Sequence, residues 1–222
     1  VISMIGPNGA GKSTVLNIIS RLIARDSGMV DFGGKDIVKW NNRELAKRLA
    51  ILTQSNNIQM KLTVRELVTF GRFPYSGSHL NEEDQRIIDK AIAYMELEPF
   101  QDRFIDELSG GQLQRVCIAR AVACKPEVIL FDEAISSLDA HTQVQVMDLL
   151  RDLKEKLGLT YVFITHDLTS ITYLCDDVLF LYQGRVTEYL PVSRISETKD
   201  EYARRLLESI VVFDTETSEV DV

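Results

Sequence analysis

The stretch Val1-Ile-Ser-Met-Ile-Gly-Pro-Asn-Gly-Ala-Gly-Lys-Ser-Thr14 decides the fold of this chain. Its residues 6–13 match the pattern GxxxxGK[ST], which forms a phosphate-binding loop when it stands between a strand and a helix. Here the apolar run Val1–Ile5 precedes the pattern, and apolar residues at helical spacing continue from Lys12 to Ile23. The sequence therefore predicts strand, loop and helix in the order that such a loop requires.

The residue types in this loop suit the binding of a phosphate chain. Glycines allow open backbone angles that turn N–H groups toward an anion, and the positive end of the following helix points to the same place. The Lys12 ammonium would neutralise the β- and γ-phosphates of a nucleotide, and the Ser13 hydroxyl would bind Mg²⁺. The predicted nucleotide-binding residues are Asn8, Gly9, Ala10, Gly11, Lys12, Ser13 and Thr14.

A second strand, much later in the chain, ends in two carboxylates: Val128-Ile-Leu-Phe-Asp132-Glu133. The ends of parallel strands are where α/β sheets place groups that face a ligand. Asp132 would hold Mg²⁺, and Glu133 would act as general base on the attacking water. Taken alone, this pattern is typical of a solvated strand end, but the upstream phosphate-binding loop favours the catalytic interpretation.

Predicted strands and helices alternate in two separated parts of the chain. This pattern runs to about Thr53 and resumes near Pro126, and mostly helical segments lie between. It predicts an α/β fold: a P-loop NTPase core with a mostly parallel sheet and an inserted α-helical subdomain. We assign residues 1–55 and 126–212 to the core, 56–125 to the insertion and 213–222 to a flexible acidic tail. Residues 71–81, rich in Gly, Pro, Ser and Asn, are predicted to form a surface loop.

Composition excludes several classes of function. The net charge of the 222 residues is -8 with no basic stripe, which argues against binding to nucleic acid. Apolar runs are only as long as strands, far short of the roughly 20 residues that span a bilayer. Cys117, Cys124 and Cys175 are widely spaced, so they are expected to be small buried side chains rather than metal ligands.

The sequence Leu108-Ser-Gly-Gly-Gln112 opens another predicted helix and forms a second candidate anion site. Its two glycines would expose backbone N–H groups at a helix start, and its serine would add a hydroxyl donor. This sequence resembles the signature motif of the ABC superfamily. The phosphate-binding loop and the strand that ends in Asp132 and Glu133 are the motifs that accompany it in that family. In that family the signature contacts the ATP of a partner subunit. The resemblance therefore implies that the residues in contact with the partner's ATP are Ser109, Gly110, Gly111 and Gln112.

The resemblance covers nearly the whole chain and implies a RecA-like ATP-binding core. Gln54 matches the glutamine of the Q-loop, which contacts Mg²⁺ or the attacking water, and His166 matches the switch histidine near the γ-phosphate. The D-loop, which crosses the dimer interface, is matched by Ser137, Leu138 and Asp139. The implied catalytic residues are Glu133, His166 and Gln54, and the implied Mg²⁺ contacts are Ser13, Gln54 and Asp132.

The resemblance also implies partners. ABC domains pair head to tail, so each ATP lies between one phosphate-binding loop and the signature of the other subunit. We therefore expect ATP and Mg²⁺ as ligands, a second ATP-binding subunit that is identical or different, and membrane permease subunits. The expected location is cytoplasmic, peripheral on the inner face of the cell membrane, with membrane contact only through the permease.

Two clues to the cargo disagree. The segment Leu62–Tyr75 resembles iron–siderophore, haem and cobalamin importers. Ala134, where most ABC proteins carry proline, and the segments Phe163–Leu168 and Asp200–Leu207 resemble nickel and oligopeptide importers. The sequence thus predicts an importer of metal chelates or peptides, and it leaves open whether the chain is a natural member or a mosaic with a seam near the signature.

Family members carry an antiparallel β segment, with an aromatic residue that stacks on adenine, before the strand at which this chain starts. We therefore expect weakened nucleotide affinity for the chain as given. A folded but weakly active fragment or designed scaffold is one alternative. A non-transport ABC ATPase is another, although the chain has a single cassette, no heptad run and no basic patch.

Overall fold

The centre of the structure is a six-stranded sheet, seen in a computed structural model that describes residues 1–53, 60–77, 79–136, 138–205 and 207. The strands are β1 (Ile2–Ile5), β2 (Asp31–Phe32), β3 (Lys35–Asp36), β4 (Leu49–Leu52), β5 (Val128–Asp132), β6 (Thr160–Ile164), β7 (Asp177–Tyr182) and β8 (Arg185–Pro191). The large sheet has the order β4-β5-β6-β1-β7-β8, and β2 pairs with β3 separately. Among the strands that the structure describes, β7 and β8 form the one antiparallel pair of the large sheet, which confirms the predicted mostly parallel α/β fold.

The helices pack around this sheet. They are α1 (Lys12–Ile19), α2 (Asn42–Ala46), α3 (Val64–Thr69), α4 (Phe73–Ser76), α5 (Glu82–Tyr94), α6 (Gly110–Ala123), α7 (Ala140–Leu157) and α8 (Leu168–Leu174), and residues 201–205 are also helical. Within the described ranges, none of them combines the length and the apolar composition that crossing a bilayer requires.

Local sequence explains where the helices of the central block begin. Reciprocal hydrogen bonds between a capping side chain and the residue three positions later start α3 (Thr63 with Glu66), α5 (Asn81 with Asp84) and α6 (Ser109 with Gln112). These bonds satisfy N–H groups that the first helical turn leaves without a partner in the helix.

One continuous hydrophobic cluster joins the helical block to the sheet. It contains side chains of α3, α5, α6 and α7 together with Leu52 of β4 and Phe131 of β5. The Phe131 ring stacks on Phe163 of β6 with 4.3 Å between centroids, and Tyr161 meets Phe131 edge-on. Cys117 belongs to the same cluster. The inserted helices and the parallel strands therefore share a core.

Two predictions of secondary structure are wrong, one helix end and one loop. The helix predicted for Lys12–Ile23 ends at Ile19, because Arg21 takes a φ of 61° that no right-handed helix accommodates. The loop predicted for residues 71–81 contains α4, because tertiary contacts hold this segment: the Tyr75 hydroxyl donates to the carbonyl oxygen of Cys124 at 3.0 Å. The predicted tail, residues 213–222, lies outside the described residues.

Candidate nucleotide-binding site

The loop between β1 and α1 encloses its own lysine. Gly9 and Gly11 have φ angles of 79° and 100°, in the left-handed region that favours glycine. The Lys12 ammonium donates hydrogen bonds to the carbonyl oxygens of Gly6 at 2.8 Å and Pro7 at 3.1 Å. Burial lowers the pKa of Lys12, and the negative charges of two nearby carboxylates oppose that shift. A buried ammonium thus stands at the start of a helix, in the place that the sequence predicts.

The turn of the β7–β8 hairpin contacts this loop, and the sequence carried no indication of that contact. The Gly184 N–H donates to the carbonyl oxygen of Ala10 at 2.9 Å. A Cβ added at Gly6 would lie 2.1 Å from the carbonyl oxygen of Leu181, so the first glycine of the motif permits this close approach. The turn residues Gln183 and Gly184 were visible in the sequence, but nothing local indicated that they contact the loop.

The catalytic candidates meet at the carboxyl ends of three neighbouring strands, β5, β6 and β1. The Ser13 hydroxyl donates to Asp132 Oδ1 at 2.9 Å, which joins α1 to the end of β5. Glu133 Oε1 lies 2.9 Å from Nε2 of His166, which follows β6. Because these strands are adjacent, Lys12, Ser13, Asp132, Glu133 and His166 form one cluster.

Glu133 has an unusual backbone. Its φ is 50°, an uncommon value for a residue with a side chain. Its N–H donates to the carbonyl oxygen of Ile164 at 3.0 Å, and its own carbonyl oxygen accepts a hydrogen bond from the Ser136 hydroxyl at 2.8 Å. The surrounding bonds therefore hold this residue in a conformation that carries its carboxylate toward His166.

Four more of the predicted nucleotide-binding residues lie in the loop and on α1. Asn8 and Gly9 are exposed at the crest of the loop, Ala10 is buried beneath it, and Thr14 is exposed on α1. Gln54 of the Q-loop and Ser137 of the D-loop lie outside the described residues. Their assigned roles therefore stay predictions.

The signature residues form a second cluster at the start of α6. The Gln112 N–H donates to Ser109 Oγ at 3.3 Å, and the Ser109 N–H donates to Gln112 Oε1 at 3.0 Å. Gly110 is exposed, whereas Gly111 is buried against Thr142 in the first turn of α7. The Thr142 N–H donates to Asp139 Oδ1 at 3.0 Å. The signature thus contacts the turn that follows the predicted D-loop.

Gly111→Ala is expected to lower the free energy of unfolding by about 1–3 kcal/mol, since it forces extra volume into a packed contact. The new Cβ would lie 2.3 Å from Thr142 Cγ2. Gly110→Ala is the matched control, because its added Cβ would meet no atom of the described residues within 4 Å beyond its chain neighbours and its own helix, and it should change the unfolding free energy by no more than about 0.5 kcal/mol. Urea unfolding measures both, and Thr142→Ser should restore much of the lost stability by removing Cγ2. Equal effects of the two alanines would contradict this packing.

Comparison with known proteins supports the same interpretation. Residues 1–136 match the family model described as ABC transporter. The chain is 45% identical over 198 residues to the petrobactin import ATP-binding protein YclP of Bacillus subtilis, covering 89% of this chain and 79% of the relative. It is 37% identical over 210 residues to the putative peptide import ATP-binding protein BAB2_0818 of Brucella abortus, covering 92% and 64%.

A solved structure shows the same fold. The ATP-binding cassette MJ0796, described as a dimeric post-hydrolysis state bound to ADP and Pi, superposes with a TM-score of 0.74 at 34% identity, covering 86% of this chain and 84% of that one. The family match includes the phosphate-binding loop, the signature and the strand that ends in Asp132 and Glu133. From its motifs, its geometry and these relatives, the chain belongs to the ABC transporter family.

Proposed function

We propose that this chain is the ATP-binding and ATP-hydrolysing subunit of a membrane importer. The observation that carries the proposal is the single cluster formed by Lys12, Ser13, Asp132, Glu133 and His166 at the ends of β1, β5 and β6. It combines a phosphate-binding cation, a pair of hard oxygen donors and a carboxylate with a histidine, which are the groups that phosphoryl transfer to water needs.

The residues fit a magnesium ion. The Ser13 hydroxyl and the Asp132 carboxylate, 2.9 Å apart, are hard oxygen donors of the type that Mg²⁺ prefers. We propose these two residues and Gln54 as the groups that hold Mg²⁺ together with ATP. Bound there, Mg²⁺ would neutralise charge on the β- and γ-phosphates.

Each remaining side chain has a role in hydrolysis. The loop N–H groups and the start of α1 bind phosphate oxygens, and Lys12 adds a positive charge beside them. Glu133 Oε2 or Oε1 accepts a proton from the water that attacks the γ-phosphate. His166, 2.9 Å from Glu133, holds that carboxylate in place. Catalysis by this chain is thus mostly orientation and electrostatics.

We propose that the active unit is a head-to-tail pair with an identical or different ATP-binding subunit. The signature residues Ser109, Gly110, Gly111 and Gln112 form a cluster of their own with α7 rather than with Lys12, so their proposed ligand is the ATP of the partner. The dimeric relative MJ0796 supports this arrangement. Ser137, Leu138 and Asp139 would then lie at the interface. Residues 1–55 and 126–212 would form the ATP-binding core, 56–125 the helical subdomain and 213–222 a tail.

The proposed cargo is a metal chelate (siderophore, cobalamin or nickel) or a peptide, carried by membrane permease subunits. The chain would act in the cytoplasm, peripheral on the inner face of the cell membrane, and contact the membrane only through the permease. Relatives named for petrobactin and for peptide import each align with more than four fifths of the chain. Both cargo classes are therefore kept in the proposal.

Lys12→Ala tests nucleotide binding directly. A hydrogen bond from a charged group contributes roughly 1.5–3 kcal/mol, so the dissociation constant of a fluorescent ATP analogue should rise about 10- to 100-fold. Lys90→Ala, which removes an exposed ammonium on α5, serves as the control and should bind as the parent does. Circular dichroism checks that both variants fold. Unchanged affinity in folded Lys12→Ala would overturn the proposed function.

A further inference from the structure

The first turn of α7 is joined to the segment that carries His166. Gln143 lies in this turn, and its N–H donates to the carbonyl oxygen of Asp139 at 2.9 Å. Its side-chain Nε2 donates to Asp167 Oδ2 and to Ser170 Oγ, both at 2.8 Å. One amide on α7 therefore reaches the residue next to His166 and the start of α8.

Asp167 is the centre of this network. Its carboxylate caps α8 by accepting hydrogen bonds from the N–H groups of Thr169 at 3.1 Å and Ser170 at 3.0 Å, and from the Ser170 hydroxyl at 2.5 Å. Its own N–H donates to Thr165 Oγ1 at 3.1 Å. Burial alone would raise the pKa of Asp167, but the bonds from Ser170, Thr169 and Gln143 outweigh burial and lower it. The carboxylate is thus fixed in its charged form.

His166 stands between two residues of this network. Thr165 on one side is buried and accepts the hydrogen bond from Asp167 on the other side. Because both neighbours are held, the backbone of His166 has little freedom, and its ring is directed at Glu133 Oε1. A group that fixes Asp167 therefore also fixes the direction of the imidazole.

We propose that Gln143 is a positioning residue, which holds Asp167 and thereby keeps the His166 imidazole against Glu133. Gln143 follows Asp139 by one helical turn. A displacement of the predicted D-loop would therefore move the Gln143 amide, and with it Asp167 and the neighbouring His166. The effect on the imidazole depends only on the geometry of the fold. The effect on catalysis rests on the proposed ATPase function.

The imidazole resonances of the folded chain test the positioning directly. The chain has three histidines, His79, His141 and His166, and His166→Gln identifies the His166 signals in a ¹⁵N imidazole spectrum. Gln143→Ala should shift the His166 signals by more than their line width. Gln145→Ala is the matched control on the same helix: Gln145 Nε2 lies 3.0 Å from His141 Nε2, so it should shift His141 and leave His166 in place.

A second variant tests whether the cavity left by Gln143→Ala, rather than the lost hydrogen bond, causes the shift of the His166 signals. Gln143→Glu keeps the size of the side chain but cannot donate from this atom to Asp167, so it should also displace the His166 signals. Unmoved His166 signals in both folded Gln143 variants would overturn the proposal.

ATP turnover tests the catalytic part separately. Gln143→Ala should lower kcat about tenfold and leave KM for ATP within about twofold, since a small misplacement of a catalytic group slows the chemical step. An active parent whose kcat is unchanged in Gln143→Ala would overturn this part. A parent chain without ATPase activity would count against the proposed function instead, while the imidazole spectra still decide whether Gln143 positions His166.

Discussion

Replacing Glu133 with glutamine is expected to slow ATP hydrolysis by at least about 100-fold, because a general base in position accelerates such a step roughly 10²- to 10⁴-fold. The amide cannot take a proton from water, but it has the size of the carboxylate and still reaches Nε2 of His166, 2.9 Å from Oε1 in the parent. ATP binding should be retained, because Lys12 and the loop are untouched. Phosphate release in a single turnover measures the rate, and a fluorescent ATP analogue measures the affinity.

Blocked hydrolysis has a second consequence under the proposed head-to-tail pairing. Glu133→Gln with ATP should elute as a dimer in size-exclusion chromatography, whereas the same variant with ADP should elute as a monomer. Glu155→Gln, an exposed position near the end of α7, controls for the change in charge and should hydrolyse ATP at the parental rate. A Glu133→Gln chain that hydrolyses ATP within threefold of the parent would exclude Glu133 as the base.

Removal of the Asp84 carboxylate is expected to cost about 3–5 kcal/mol of unfolding free energy, which is the usual result of breaking a buried ion pair from one side. Arg72 Nε donates to Asp84 Oδ1 at 2.8 Å, and the two side chains are only 5% and 2% exposed. The Ser76 hydroxyl and the Asn81 N–H also bind this carboxylate. In Asp84→Ala the Arg72 guanidinium would stay buried without a countercharge. Urea unfolding at neutral pH measures the loss.

Two further variants separate this effect from a general effect of mutating α5. Asp89→Ala removes a carboxylate from the same helix. Asp89 pairs with Arg65 at 2.7 Å, but its side chain is 58% exposed. The loss of unfolding free energy should therefore be below about 1 kcal/mol. The double variant Arg72→Met/Asp84→Leu should recover much of the stability, since it removes both charges. Similar losses in Asp84→Ala and Asp89→Ala would contradict the importance of burial.

The sequence was most informative where a local rule determines the backbone. Glycine at positions 9 and 11 allows the left-handed angles of the phosphate-binding loop, and Thr63 with Glu66 starts a helix by reciprocal capping. Such rules need only neighbouring residues. For this reason the phosphate-binding loop and the carboxylates at the end of β5 were predictable from the sequence alone.

Prediction from the sequence failed where contacts between residues far apart in the chain determine the structure. Gly, Pro and Ser in residues 71–81 are typical of a loop, but the buried guanidinium of Arg72 donates to the carbonyl oxygen of Ala123 at 3.0 Å and holds a helical turn there. The bond from Gly184 to Ala10 and the bond from Gln143 to Asp167 join residues that are far apart in the chain. No spacing rule predicts such pairs, because they depend on how the strands are ordered in the sheet.

The support that the β7–β8 hairpin gives to the phosphate-binding loop has a consequence for mutational tolerance. Both contacts use main-chain atoms of the hairpin: the Gly184 N–H and the carbonyl oxygen of Leu181. Side chains further along the hairpin, such as the exposed Val186 and Tyr189, do not contribute to either contact. Substitution of these two exposed side chains should therefore leave the shape of the phosphate-binding loop unchanged.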